Sequence, residues 1–151
     1  MRVLVINDSD VLRYRIRTVV TEIPEIELIG ETTDLRQAID IIHRSLPDIV
    51  VVCFQRLSQP LLRTAANLRA INPETNIIVL TGVLSYDTQE VWRELGANFV
   101  FDLTMGLDLL IETLNEATSE KSRFGMFVNQ RKSQSAFLNE GALQKEKHEQ
   151  D

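Results

Sequence analysis

Short apolar runs rich in Val and Ile recur along this chain, and polar or reactive residues stand at their ends. Asn7 and Asp8 follow Val3–Ile6. Cys53 lies in the third run beside Phe54, Thr81 follows Ile77–Leu80, and Asp102 and Leu103 follow Phe99–Phe101. One carboxylate beside an amide makes Asp8 at most a weak cation ligand, because hard divalent ions want several oxygens. Capping of the helix that follows, through Asp8, Ser9 or Asp10, is the expected use of this segment. A cysteine reacts as thiolate, which needs nearby positive charge or a helix N-terminus. Asp8 would push the Cys53 thiol the other way, so a quiet, half-buried Cys53 is expected. Thr81, followed by Gly82, could donate to an anion, but a strand-end hydroxyl more commonly satisfies local backbone. His43, among Ile42 and Arg44, and His148 are the only histidines, so the first 117 residues hold neither a metal pair nor a catalytic dyad. With no Ser-His-Asp set, Gly-rich phosphate loop or paired-carboxylate motif, no enzyme and no cofactor are expected.

These residues need elements to hold them. The runs Val3–Ile6, Ile26–Ile29, Ile49–Phe54, Ile77–Leu80 and Phe99–Phe101 read as strands. Several are apolar at successive positions, which suits a parallel sheet covered on both faces. Between them lie stripes at helical spacing: Leu12, Ile16, Val19, Val20 and Ile23; then Leu35, Ala38, Ile39 and Ile42. Pro60 opens a third helix, bracketed at its end by Asn72 and Pro73. Val91, Trp92 and Leu95 mark a fourth, stopped by Gly96, and Leu107, Leu110, Ile111 and Leu114 a fifth. Alternating βα units predict an α/β doubly wound fold with a five-stranded parallel sheet, whose working crevice lies at the carboxyl ends of the strands.

Charge divides the 151 residues. Residues 1–117 hold 10 basic residues, all Arg, against 17 acids, and residues 118–151 hold 6 against 5. The expected domain is therefore 1–117, at −7, followed by a polar C-terminal tail, 118–151, with small apolar clusters at Phe124–Val128 and Ala136–Leu138. The first lysine is Lys121, so the body has none. An acidic surface argues against nucleic acid. A single cysteine points to a reducing, cytoplasmic setting, and the short apolar start argues against membrane insertion.

VLVINDSDVLR, PDIVVVCF, NIIVLTG and GANFVFDLT, in this order and spacing, resemble the signature segments of response-regulator receiver domains, over Arg2 to about Leu114. The resemblance implies the (βα)5, flavodoxin-like receiver fold and two-component, phosphorelay signalling. In that family an acidic pair and an aspartate hold Mg²⁺, the aspartate takes a phosphoryl group from a histidine kinase, and a Thr or Ser and a Lys bind its oxygens. Hard Mg²⁺ and a transferring phosphoryl group need such oxygens and cations. Here the acidic pair falls on Asn7 and Asp8, the phosphoacceptor on Cys53, the hydroxyl on Thr81 and the lysine on Leu103. A second switch position, usually aromatic, falls on Val100.

The resemblance thus implies a degenerate, pseudo-receiver member that works by phosphorylation-independent protein–protein interaction. Its expected partner is a kinase, regulator or other signalling protein, or a second copy in a homodimer. The resemblance sets the expected partner face on the fourth helix, fifth strand and fifth helix, with Glu90, Trp92 and Arg93; for Trp92 core packing and partner contact weigh evenly. Two alternatives stand beside this reading: an acceptor using another carboxylate, such as Asp10 or Asp102, and a redox switch at Cys53.

Overall fold

In the computed structural model, residues 1–8, 10–82 and 84–119 are described. Five strands, β1 (Arg2–Asn7), β2 (Glu27–Thr32), β3 (Ile49–Phe54), β4 (Asn76–Thr81) and β5 (Phe99–Asp102), alternate with five helices. The helices are α1 (Asp10–Thr21), α2 (Leu35–Ser45), α3 (Gln59–Ile71), α4 (Tyr86–Glu94) and α5 (Leu103–Thr118). All strand pairings are parallel, in the order β2-β1-β3-β4-β5. This is the expected (βα)5 architecture. The order reverses between β1 and β3, which opens the crevice at their carboxyl ends.

Burial follows from this order. All six residues of central β3 are buried, and successive side chains alternate between two apolar layers. Val51 and Cys53 join Ile16 and Val20 of α1 and Leu110 and Leu114 of α5 on one face. Val50, Val52 and Phe54 join Ala38 and Ile42 of α2, Leu61 and Leu68 of α3 and Trp92 of α4 on the other. Removing each such Val, Leu or Ile from water contributes about 1.5–3 kcal/mol, so the sheet is held by both layers together.

Every strand but β3 extends past the apolar run that announces it, most of all β2. The run ends at Ile29, but pairing with β1 continues through Gly30, Glu31 and Thr32. This polar end survives at a sheet edge because Glu31, nearly buried, lies between Arg13 and Arg17 of α1, at 3.4 and 3.2 Å. At the opposite end of the sheet Arg69 of α3 donates to the carbonyls of Pro73, Thr75 and Gly96, tying the α3–β4 and α4–β5 loops together. Gly96 takes φ +89°, a left-handed conformation natural to glycine, as the chain leaves α4.

Helix starts are capped by side chains: Asp34 for α2, Ser58 for α3, Ser85 for α4 and Asp102 for α5. The expected caps at the start of α1 involve Ser9 and the Asp10 side chain, which lie outside the described residues. So does the chain from 120 onward, including most of the expected tail and the Phe124–Val128 cluster. Among the described residues no helix is long and apolar enough to cross a membrane.

Candidate functional site

The site is built by strand register. Asn7 and Cys53 are partners across β1 and β3, about 4.8 Å apart between strands. Phe54 pairs with Thr81, and Thr81 with Asp102. The expected residues are thereby brought to one edge of the sheet, but the pleat divides them. Cys53 belongs to the α1/α5 layer and Val100 to the α2–α4 layer.

Cys53 is buried rather than half-buried, at 1% exposure. Burial first, and the nearby Asp8 carboxylate second, push its thiol from 9.0 up to about 12. Asn7 and Thr81 are buried as well. Asp8 is exposed; its N–H donates to the Cys53 carbonyl at 3.1 Å, and its carboxylate lies 3.4 Å from the Gln55 N–H. Leu103, the first residue of α5, packs against the same apolar cluster that contains Cys53. Where the family resemblance puts acceptor and lysine, this chain has one continuous piece of core.

Mg²⁺ does not fit this donor set. The resemblance would ask for three carboxylates, and the positions hold a buried amide, one exposed carboxylate and a buried thiol held in its neutral form. Among the described residues no three His, Cys, Asp or Glu side chains gather as a metal site. Asp102 is occupied elsewhere: it accepts from the Thr104 N–H at 2.7 Å as the cap of α5. The Thr104 hydroxyl and N–H together lower its pKa.

The partner-face expectation needs a correction at Trp92. Its side chain is fully buried, packed on Phe54 with ring centroids 5.3 Å apart, in the cluster that also holds Val100. A helix pattern cannot say which of Val91, Trp92 and Leu95 faces the sheet most squarely, and the indole does. Glu90 and Arg93 remain partly exposed and form an i,i+3 ion pair, with exposed Tyr86 at the start of the same helix. His43 is exposed in the last turn of α2.

Gln55 was not anticipated by any sequence signal. Its amide oxygen lies over Gly82, where a Cβ would come within 2.4 Å of it, and Gly82 N–H donates to the Phe54 carbonyl at 3.1 Å. The segment after β3 is thus drawn down onto the segment after β4.

No protein-family model matches the sequence, and no curated protein matches it. Solved structures do. A two-component response regulator of the LuxR family from an Aurantimonas species matches at 17% identity and TM-score 0.68, covering 78% of this chain and 84% of that one. The receiver domain of a putative response regulator, NarL, from Mycobacterium tuberculosis matches at 16% identity and TM-score 0.67, covering 78% and 94%. The response regulator domain of Thermotoga maritima CheB matches at 18% identity and TM-score 0.65, covering 78% and 96%. At these identities the likeness establishes the receiver fold.

Proposed function

We propose that this chain is a receiver-like module of two-component signalling that has lost phosphoryl transfer and acts by binding a partner protein. One observation carries the reading: Cys53 and Leu103, to which the sequence resemblance assigns the acceptor and lysine positions, are packed into a single apolar cluster on a receiver fold. Phosphoryl transfer depends on cations and donors placed around the equatorial oxygens. A neutral buried thiol beside a leucine supplies neither.

The anchoring of α4 supports constitutive binding. A two-state output needs an element with two arrangements of comparable energy. Trp92, fully buried on Phe54, holds α4 in one of them. The partly exposed Glu90 and Arg93, with Tyr86, form the α4 contribution to the docking face. The two alternatives fare worse on physical grounds: Asp102 is committed to capping α5, and Cys53 lacks the thiolate character that redox chemistry requires.

The test is incubation of the full chain with acetyl phosphate and Mg²⁺. The expected result is no acid-labile phosphate and no Mg²⁺-dependent shift in the thermal midpoint. Acid-labile phosphate on any aspartate would overturn the reading.

A further inference from the structure

We propose that the groove between α1 and α5 is the docking site of this chain's own Phe124–Val128 segment, which folds back along α5. The groove has a volume of about 260 Å³, with Tyr14 and Val19 of α1 and Leu107 and Ile111 of α5 as its apolar walls and Arg15 and Asp108 at its polar margin. It is smaller than the roughly 300–1,000 Å³ of pockets that enclose drug-sized ligands, and suits inserted side chains. Tyr14 is 77% exposed, the most open large apolar residue of the described chain.

Chain length favours this occupant. At Ser119 the backbone leaves α5 in an extended conformation, with φ −70° and ψ 150°. From Ser119 back to Ile111 the helix axis covers about 12 Å at about 1.5 Å per residue. The links from Ser119 to Phe124 can span about 17 Å. A segment on so short a tether meets the groove at a high effective concentration without a second molecule.

Charge favours it too. Asp108, Glu112 and Glu116 are exposed at four-residue spacing along α5, which contains no Lys, Arg or His. Among the described residues none of the three takes part in an ion pair. Like charges at i,i+4 weaken a helix, and acids in its final turns oppose the helix dipole. Lys121 and Arg123, immediately before Phe124, answer both defects when the segment runs back along α5. The apolar cluster then arrives at Ile111 and Leu107.

The test uses the full chain with Asn129→Cys carrying a nitroxide; buried Cys53 stays unlabelled. Amide signals of α1 and α5 around Val19 and Ile111 should broaden, while those of α2 and α3 should not. Phe124→Asp with Phe127→Asp should abolish the broadening and leave the sheet amides unshifted. Unbroadened groove amides, or broadening that survives the double substitution, would overturn the proposal. So would the same broadening in a mixture of spin-labelled, unenriched chain with unlabelled ¹⁵N-enriched chain, which would make the occupant a second copy.

Discussion

A thiol at the end of β3 differs from a carboxylate there in what it asks of its surroundings. Burial of a carboxylate must be offset by cations or hydrogen bonds, whereas a neutral thiol behaves as a small apolar side chain. Cys53 accordingly sits in the core with Leu103 against it. Its raised pKa has a sign that can be checked: the folded chain holds the thiol proton to about 12, while the unfolded chain releases it near 9.0. The stability this contributes is complete below pH 9 and is lost as pH rises toward 12. Stability should therefore fall more steeply over that range for the native chain than for Cys53→Ala, measured by urea unfolding at each pH; parallel profiles would contradict the assigned environment. Trp92 gives a second prediction. Trp92→Ala should cost about 3–5 kcal/mol, as large-to-small core changes do, while Trp92→Phe, which also removes an indole N–H without a partner among the described residues, should cost less than about 1.5 kcal/mol. An alanine variant as stable as the native protein would return Trp92 to the surface.

Elements are where the sequence was most and least legible. β3 was readable to the residue because IVVVCF is apolar throughout and buried on both faces. β2 was not, because its last three residues are held by β1 pairing and by Arg13 and Arg17, contacts distant in sequence. The same limit applies at the site. Asn7, Asp8, Cys53, Thr81 and Leu103 were found by their places at strand ends, but the pleat that separates Cys53 from Val100 and the Gln55 contact over Gly82 are consequences of packing. Asp102 illustrates how an element claims a carboxylate for structure. Its carboxylate caps α5, and the Thr104 hydroxyl and N–H lower its pKa in the folded state. A lowered carboxylate pKa gives stability that is complete above the unfolded value, about 3.9, and is lost as pH falls below it. Asp102→Ala should cost about 1 kcal/mol at neutral pH, and its deficit should shrink in acid. A deficit that does not change between pH 7 and pH 2.5 would show that the carboxylate charge plays no part.

At the scale of the whole molecule the question is how much of the receiver scaffold depends on the side chains at its strand ends. Both apolar layers, the strand order and the crevice between β1 and β3 are present, and none of them requires a phosphoryl group. Rebuilding the site therefore ought to be possible. Asn7→Asp, Cys53→Asp and Leu103→Lys together would place three carboxylates, with Asp8, and one ammonium at the carboxyl ends of β1, β3 and β5. Like carboxylates at this spacing repel, and all three changes put charge where the native side chains are buried or packed on the core, so the metal-free variant should be less stable than the native chain. A cation that binds only the folded state returns stability by mass action, about 2.7 kcal/mol at a hundred times its Kd. That corresponds to a rise of roughly 10 °C in the thermal midpoint for a domain of this size. The native chain should show no such rise with Mg²⁺. The segment from Gln55 to Ser58 is the part of the scaffold most able to defeat the experiment, because the Gln55 amide is drawn over Gly82 at the edge of the same crevice. If the triple variant folds, by circular dichroism, yet its midpoint ignores Mg²⁺, the obstacle to metal binding extends beyond three side chains to the segment after β3. Adding Gln55→Gly to the variant then separates the two causes, since a response restored by that change alone would assign the block to the Gln55 side chain.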